Sequence, residues 1–562
     1  MNQPTPAIVS QEAVRRLPRL ALLLFCLAYV VPGFVGREPW KNADIAGFGH
    51  MFEIARGGAS WLAPTLLGQP PEFDALLPYW LGALAIQAAP GWMTPDLAVR
   101  ILFAFLLALT LVATWYGVYF LARTPQAQPV PFAFGGEANT TDYARAMADG
   151  GLLALIACLG LAQLSHETTP ALAQVGFTAL SFFAIASLPR QLLAGAIALV
   201  AGLAGLALSG APSMAMLFGA GAIVIAFLNR SNDPSDAAWW KCAAVLAFAL
   251  VVTAGLSAWL GVWHWRISDT GLARGLRPIW RLMLWFTWPA WPLALWTLWR
   301  WRRQLSARHV ALPLWFSLVA IVTTLMTHSS DRSLLLALPA LATLAAFALP
   351  TLGRSVTSLI DWFTLLFFSG CAFIIWVVWI SMQTGVPAKP AANVAKLAPG
   401  FEPSFSVVAF VAALAATIAW GWLVKWRTGR NQVVIWKSLV LPAGGAALCW
   451  VLMMTLWLPV LDYARGYTPV VRAVMGYMDK PGCVEVFGLN RAEIAAFRYH
   501  GRMELRSATR ESSGCPWLLA DDELQAALPL ALDMRQWQQV AKVRRPADAK
   551  DNVLVYRKAA RP

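Results

Sequence analysis

Long uninterrupted apolar runs constrain this chain more than any other feature of its sequence. Each run is about 17 to 23 residues long, which is the length that a helix needs to cross a hydrocarbon core of about 30 Å. Of the 562 residues, 58% are apolar and only 13% are charged. A soluble chain would carry about 25% charge. The sequence therefore predicts a polytopic α-helical membrane protein.

Thirteen apolar runs are candidates for membrane spans, and they lie near residues 17–35, 97–121, 150–164, 170–188, 191–208, 212–228, 243–262, 281–299, 310–326, 333–352, 362–382, 404–424 and 439–461. Some runs are short, and tight links around His166 and Ala211 leave a count of twelve or fourteen as alternatives. The stretch 76–89 is apolar but too short to cross, so we expect it to lie along the membrane interface.

The Lys and Arg residues of the short loops predict the orientation, because positively charged loops tend to stay in the cytoplasm. One alternate set of loops holds most of them: Arg15, Arg16, Arg19, Arg123, Arg190, Arg230, Lys241, Arg300, Arg302, Arg303, Arg308, Arg354, Lys425, Arg427, Arg430 and Lys437. The other set, which includes segment 36–96 and the tail after residue 461, is then expected to face outward. We expect the chain to cross the membrane many times.

The pattern changes after residue 461, where hydropathy falls. Residues 483–489, 502–506, 540–543 and 553–556 resemble strands, and 491–499 has the pattern of a helix. We therefore predict a transmembrane domain over 1–461 and a small periplasmic α/β domain over 462–562. Cys483 and Cys515 lie in this tail and are a disulfide candidate, because the periplasm is oxidising; two buried free thiols are the alternative.

A polar segment between the first two long apolar runs holds the residues best suited to chemistry. It contains Trp40, Lys41 and Asp44, and its Pro-rich end contains Glu72 and Asp74. Solvation at a membrane surface would explain single charges, but long ordered loops in compact proteins are usually functional. Asp44 is therefore our candidate catalytic carboxylate.

A resemblance to a known family rests on three elements of this segment, REPWKNADIAGFG, WLAPTLLGQP and LLPYWLGALA. They resemble the first periplasmic loop of bacterial integral-membrane glycosyltransferases with the GT-C fold, the aminoarabinose (lipid A) transferase and protein O-mannosyltransferase-like group of families 39 and 83. The resemblance implies a GT-C fold and places Asp44 on the family's catalytic carboxylate. Two departures are that Ile45 replaces a second acid, and that Glu72-Phe73-Asp74 lacks the lysine of the family's Glu-Lys-Pro-Pro element.

The resemblance also implies roles for residues of other outer turns. Glu167 is the acid nearest to a family Asp and is a second catalytic candidate, with a solvated interfacial turn as the alternative. The residues expected to bind the donor phosphate, in place of the missing lysine, are Lys41, Arg266, Arg274, His328 and Arg332. Local capping would also explain the last two. Those expected to close the loop or contact the acceptor are Trp40, Glu72, Asp74 and His166.

An outward-facing transferase has no nucleotide sugar to draw on, so we expect a sugar donor carried on polyprenyl (undecaprenyl) phosphate. Cations would neutralise the leaving phosphate while Asp44 orients or deprotonates the acceptor for an inverting displacement. The expected acceptor lies on the periplasmic side: lipid A or lipopolysaccharide, another glycan, or a protein.

Other functions are predicted less strongly by the sequence. It contains no metal-ligand spacing such as HExxH and no nucleotide-binding Gly-rich loop, although two carboxylates with a divalent cation remain open. The net charge of +15 has its source in cytoplasmic loops, so nucleic acid is not an expected partner. The alternatives are a non-enzymatic lipid-linked sugar flippase or transporter, and a membrane scaffold.

Overall fold

The computed structural model describes residues 5–230, 239–263, 276–326, 330–429, 434–479, 482–509 and 514–559. In the described residues its membrane part consists mainly of helices joined by loops. In chain order the helices up to the C-terminal domain are α1 (Arg19–Val30), α2 (Ala43–Ala55), α3 (Leu77–Ala88), α4 (Pro95–Ala122), α5 (Thr140–Ala157), α6 (Leu161–Leu164), α7 (Pro170–Ser187), α8 (Leu192–Leu208), α9 (Pro212–Leu228), α10 (Trp239–Trp259), α11 (Leu276–Phe286), α12 (Ala290–Arg300), α13 (Arg308–Met326), α14 (Ser330–Leu335), α15 (Leu338–Ala348), α16 (Arg354–Thr384), α17 (Ala388–Leu397), α18 (Val407–Thr428), α19 (Lys437–Leu456), α20 (Leu458–Arg465) and α21 (Thr468–Met475).

Seven of the described helices are long and apolar enough to cross a membrane: α4, α7, α10, α13, α16, α18 and α19. Four shorter apolar helical segments are Arg19–Gly33, Leu192–Leu208, Pro212–Leu228 and Leu338–Thr351. Each predicted run contains at least one helix, and several runs contain two. The run near 281–299 divides at Pro289, which cannot donate a helical hydrogen bond. The number of membrane crossings stays a prediction.

The centre of the bundle is formed by α5, α7, α15 and α19, whose side chains are almost all buried. By contrast, α16 and α18 expose most of their apolar side chains. In an aqueous medium such exposure would be costly, so these two helices face lipid. The short helix α3 packs against α2 and α4 and corresponds to the predicted interfacial stretch.

The C-terminal domain contains α22 (Arg491–Tyr499), α23 (Leu528–Ala531) and strands β1 (Cys483–Phe487), β2 (Glu504–Ser507), β3 (Trp517–Asp521), β4 (Trp537–Arg545) and β5 (Asp548–Lys558). The five strands form one sheet in the order β2-β1-β3-β5-β4. β1 is parallel to β2 and β3, whereas β5 is antiparallel to β3 and β4. Helix α22 begins with a capping box between Asn490 and Glu493. The structure also joins Cys483 and Cys515 in a disulfide.

The small sheet domain docks on the first polar segment, chiefly through α2 and α22. Arg498 of α22 forms an ion pair with Glu53 of α2. Next to it in sequence, the Tyr499 hydroxyl donates to Asp96 at 2.7 Å. The Thr468 hydroxyl donates to Glu38, also at 2.7 Å. The contact with Glu53 holds α2, which carries Asp44, and the other two contacts hold the chain before and after it.

Candidate active site

Asp44 lies in the first turn of α2 and is only 2% exposed. Its Oδ1 accepts hydrogen bonds from both the backbone amide and the hydroxyl of Thr168, each at 2.7 Å. Its Oδ2 accepts from the backbone amide of Trp40 at 3.0 Å and forms an ion pair with Arg37. A carboxylate has about four lone-pair positions, so the protein alone saturates this one.

The turn between α6 and α7, residues 165–169, brings the second predicted carboxylate to the same place. Glu167 is buried and pairs with Arg332, whose Nη2 lies 3.2 Å from Oε2. Gln163 donates to the other oxygen at 3.4 Å. Burial, and then the negative charge of Asp44, raise the pKa of Glu167, although Arg332 and Arg37 oppose the shift. The two carboxylates therefore interact directly through their charges.

Arg37 is part of the site and was not among the residues singled out from the sequence. Its side chain is fully buried and lies over the Trp40 ring at 4.3 Å. One of its nitrogens pairs with Asp44, but Nε and Nη1 have no hydrogen-bond partner among the described residues. A buried guanidinium with unbonded N–H groups is costly unless something else accepts them. Its position before α2, next to the candidate Asp, was the available sequence signal.

Trp40 links the site to the beginning of the C-terminal region. Its indole Nε1 donates to Asp462 at 2.5 Å, and the guanidinium of Arg465 lies 5.3 Å from its ring centre. Burial raises the pKa of Asp462 to about 7. Asp462 and Arg465 lie more than 400 residues after Trp40, so the sequence carried no signal for this contact.

The other predicted loop residues occupy different surroundings. Lys41 is half-buried beside Trp40, and its backbone amide donates to the backbone carbonyl oxygen of Arg465 at 2.9 Å. Glu72 and Asp74 are both exposed. Glu72 lines a cavity of about 360 Å³ that also contains His50 and Arg491. The structure therefore brings Asp44, Glu167, Arg332 and Trp40 together and leaves Glu72 and Asp74 at the periphery.

His166 is fully buried. Its ring nitrogens face the carbonyl oxygens of Ala162 and Tyr29, and the ring lies 4.6 Å from that of Trp450. Burial lowers the pKa of His166 to about 3, so the ring is neutral at ordinary pH. Its surroundings favour a packing role that holds the turn of Glu167 against α19.

Three predicted phosphate-binding residues, Arg266, Arg274 and His328, lie outside the described residues. Among the residues that are described, no group of three or more His, Cys, Asp or Glu side chains could hold a metal ion. Among the described residues, Arg37 forms an ion pair with Asp44 and Arg332 forms an ion pair with Glu167.

An apolar cavity of about 260 Å³ adjoins the site. Its walls come from α5, α16 and α19, with Ile156, Phe368 and Met453 among them. Trp40, Gln163 and Arg465 form its polar end. The cavity thus has the composition expected for an apolar chain that ends in a polar or anionic group.

Comparisons with known proteins give a match in structure only. No protein-family model matches the sequence, and no curated protein matches it by sequence. The crystal structure of ArnT from Cupriavidus metallidurans bound to undecaprenyl phosphate is similar, with a TM-score of 0.62 and 14% identity, over 96% of this chain and 98% of that chain.

The same ArnT in the apo state gives a TM-score of 0.62 and 14% identity, over 95% and 97% of the two chains. Arabinosyltransferase EmbB from Mycobacterium smegmatis reaches a TM-score of only 0.35 and supports no argument. The two ArnT structures confirm the predicted fold: an ArnT-like GT-C arrangement of membrane helices with a small C-terminal sheet domain.

Proposed function

We propose that this protein is a membrane glycosyltransferase that moves a sugar from a polyprenyl phosphate to an acceptor on the periplasmic side. The observation that carries the proposal is the cluster of buried Asp44, Glu167 and Arg37 with the half-buried Arg332. Two carboxylates and two guanidinium groups, drawn from three separate segments, have no structural need to share one buried site. Their burial is costly unless they do chemistry or bind a charged ligand.

The donor's phosphate would act as the leaving group. In an inverting displacement the bond between C1 of the sugar and the phosphate oxygen breaks while an acceptor oxygen bonds to C1 from the opposite face. Arg332 and the unbonded N–H groups of Arg37 would stabilise the charge that develops on the phosphate. Lys41, Arg266, Arg274 and His328 remain further candidates for this contact.

Asp44 would act mainly by position. Because its four hydrogen bonds come from the protein, an acceptor hydroxyl would have to replace the Thr168 hydroxyl as a donor to Oδ1. A carboxylate so engaged would then accept the proton of that acceptor. An acceptor phosphate, as on lipid A, is already ionised and would need only the orientation that Asp44 gives to Arg37. Glu167, whose pKa is raised, would assist as the second carboxylate.

The apolar cavity beside Trp40 supports a lipid-linked substrate, because an isoprenoid chain can lie there with its polar end toward Arg465. ArnT, the structural relative, has been solved with undecaprenyl phosphate. We therefore propose undecaprenyl phosphate as the carrier. Lipid A or lipopolysaccharide, another glycan, or a protein would be the acceptor, and the protein would be placed in the bacterial inner membrane with its C-terminal domain in the periplasm.

The test is sugar transfer by the purified protein in lipid nanodiscs, supplied with radiolabelled polyprenyl-phosphate sugars and a membrane lipid extract. We expect Asp44→Asn to lower the transfer rate by about 100-fold or more. Glu167→Gln provides a second variant, because loss of the Asp44 charge could also unfold the protein around Arg37. Asp479→Asn, at an exposed position of the C-terminal region, is the matched control and should transfer like wild type.

Thermal unfolding of each variant separates lost chemistry from lost structure. A wild-type protein that binds the lipid-linked sugars but transfers none of them would reject the enzyme and favour a flippase or a scaffold. A folded Asp44→Asn variant with undiminished transfer would reject the assigned site while keeping the activity.

A further inference from the structure

A larger cavity, lined in part by charged side chains, lies at the opposite end of the bundle from Asp44. It has a volume of about 830 Å³ and is bordered by the beginnings of α16 and α19 and the end of α18. Helix α19 runs between this cavity and the candidate active site. Its first residue, Lys437, lines the cavity, and its Trp450 contacts His166 of the candidate active site. At 1.5 Å per residue these two positions are roughly 20 Å apart along the helix.

Three cations and one carboxylate line this cavity: Arg354, Arg427, Lys437 and Asp361. Arg427 and Asp361 neutralise each other, since the guanidinium reaches both carboxylate oxygens, one of them from Nε at 3.2 Å. Within the described part of the chain no carboxylate forms an ion pair with Arg354 or Lys437, although the charge of Asp361 acts on Lys437. The lining therefore carries a net positive charge.

Lys437 is the residue that most clearly indicates a ligand. It is only 5% exposed, and its ammonium group makes no hydrogen bond or ion pair to any described residue. Its described interactions are with the Trp426 ring, 5.6 Å from the ring centre, and with the opposing charges of Asp361 and Arg427. It also stands at the first turn of a 20-residue helix, where the helix dipole repels a cation and attracts an anion. An anion in the cavity would satisfy both the ammonium and the helix terminus.

The cavity borders the lipid-facing surface of the bundle. Trp362 lines it and is 63% exposed, and the neighbouring Leu359 and Leu366 of α16 are exposed as well. On the other side, Trp422 of α18 is exposed. Apolar side chains thus continue from the charged cavity along two helices that face hydrocarbon. This continuity favours an anion attached to an apolar chain over a soluble one.

We propose that this cavity binds the phosphate headgroup of an anionic phospholipid, with its acyl chains lying along α16 and α18. Basic pockets between membrane helices bind such headgroups. By the predicted orientation this lipid belongs to the cytoplasmic leaflet. The proposal does not depend on the transferase activity, because the site shares no residue with the Asp44 cluster.

Native mass spectrometry of the full-length protein, titrated with phosphatidylglycerol, tests the proposal. We expect Arg354→Met combined with Lys437→Met to raise the half-saturating lipid concentration by about 10-fold or more. The matched control combines Lys425→Met with Arg302→Met, two exposed cations at the same end that do not line the cavity. The control should bind like wild type. Because Lys437 is buried, the single variant at the exposed Arg354 is included, with an expected change of about 3-fold.

Three further titrations identify the ligand. Phosphatidylcholine should bind at least 10-fold more weakly than phosphatidylglycerol, since its headgroup has no net charge. Inorganic phosphate that competes as well as the phospholipid would replace the proposal with a soluble anion, and stronger binding of polyprenyl phosphate would replace it with a second substrate site. Equal loss of binding in the cavity variant and the control would overturn it.

Discussion

Asp44 is held by four hydrogen bonds in the free protein, and this saturation determines what single substitutions should do. Two of its donors are backbone amides and one is a buried arginine, none of which can leave without moving the chain. The Thr168 hydroxyl is the exception, because it can rotate about one bond. Thr168 is therefore the side chain through which access to Asp44 is most easily altered.

Replacement of Thr168 by Val should remove one hydrogen bond to Asp44 while keeping the side-chain shape. We expect the free energy of unfolding to fall by about 1 kcal/mol. We expect the transfer rate to a hydroxyl acceptor to rise by about 10-fold, because the acceptor no longer has to displace the Thr168 hydroxyl from Oδ1. Thr169→Val is the matched control, because the neighbouring hydroxyl is buried and has no hydrogen-bond partner among the described residues. Equal transfer rates in the two variants would contradict a role for the Thr168 hydroxyl.

Asp462 predicts a pH dependence of stability. Burial raises its pKa from 3.8 to about 7, so the folded protein binds this proton more tightly than the unfolded chain does. The stability that the bound proton contributes is complete below about pH 4 and is lost as the pH rises through 7. Asp462→Asn keeps an acceptor for the Trp40 indole but cannot ionise. The variant should therefore gain in free energy of unfolding relative to wild type between pH 4 and 8, by about 4 kcal/mol at most.

Thermal unfolding across this pH range measures the difference, with Asp479→Asn at an exposed site as the control. Parallel pH profiles for wild type and Asp462→Asn would show that the buried carboxyl does not titrate as described.

The sequence was informative about single residues where the local pattern was strong. It singled out Asp44 and Glu167, and the structure brings them into one charged cluster with Arg332. It did not indicate Arg37, because a cation at the start of an outer loop resembles any solvated charge. Nor could it indicate Asp462, whose contact with Trp40 depends on how distant segments pack.

At the level of secondary structure, α2 is held between two surfaces that approach it closely. On one side, a Cβ atom at Gly47 would lie 2.9 Å from the backbone oxygen of Thr168. On the other, a Cβ at Gly49 would lie 2.5 Å from Ala495 of α22. Both glycines are therefore needed for close packing, and a larger residue must shift the helix that carries Asp44.

Gly47→Ala should lower the transfer rate by about 10- to 100-fold, since a displacement on the ångström scale has effects of this size on positioned groups. Gly91→Ala is the control, because its Cβ would meet no atom within 4 Å and its backbone needs no positive φ. The comparison uses transfer assays together with thermal unfolding. A Gly47→Ala protein with the activity of wild type would mean that α2 can move without disturbing Asp44.

The ion pair between Glu53 and Arg498 should stabilise the docking of α22 on α2. Breaking it by Arg498→Met should cost about 3 kcal/mol, because Glu53 is buried and would keep an unpaired charge. Glu53→Gln combined with Arg498→Met should recover part of that loss. A double-mutant cycle on the free energy of unfolding measures the coupling, and strictly additive losses would contradict a direct pairing.

The positions of helices and strands could be predicted because the length of an apolar run and the alternation of apolar and polar residues are local properties of the sequence. Helices occur at every predicted apolar run, and the strands and helix of the tail lie close to their predicted positions. The apolar segment after Pro516 forms the central strand β3. A short apolar run alone does not show whether a segment is a strand or a buried helix, so this strand could not be predicted. Hydropathy also did not predict that prolines divide some of the longer runs into two helices.

For the whole molecule, the disulfide between Cys483 and Cys515 ties β1 to the segment before β3. It closes a loop with a sequence separation of 32 residues. In the chain-entropy model this closure contributes about 3 to 4 kcal/mol. We expect reduction by dithiothreitol to lower the thermal stability of the C-terminal domain, and the Cys483→Ser, Cys515→Ser protein to show the same lower stability with no further response to the reductant. A wild-type protein unaffected by full reduction would contradict the expected contribution.

The global arrangement was accessible from sequence only through the family resemblance. Composition predicted a helical membrane protein, but it could not show how thirteen runs pack or that the tail returns to the first loop. Those contacts join residues separated by hundreds of positions, as in Trp40 with Asp462 and Glu53 with Arg498. The sequence of one loop resembled that of GT-C glycosyltransferases, and the fold of the whole structure is similar to that of ArnT.

The return of the tail to the first loop has a consequence for biosynthesis. Trp40, Glu53 and Asp96 leave the ribosome about 400 residues before their partners Asp462, Arg498 and Tyr499. A nascent chain therefore inserts its helices with the site unfinished. Maturation of the site waits for folding of the C-terminal domain, so a product terminated before Asp462 would reside in the membrane without a completed centre.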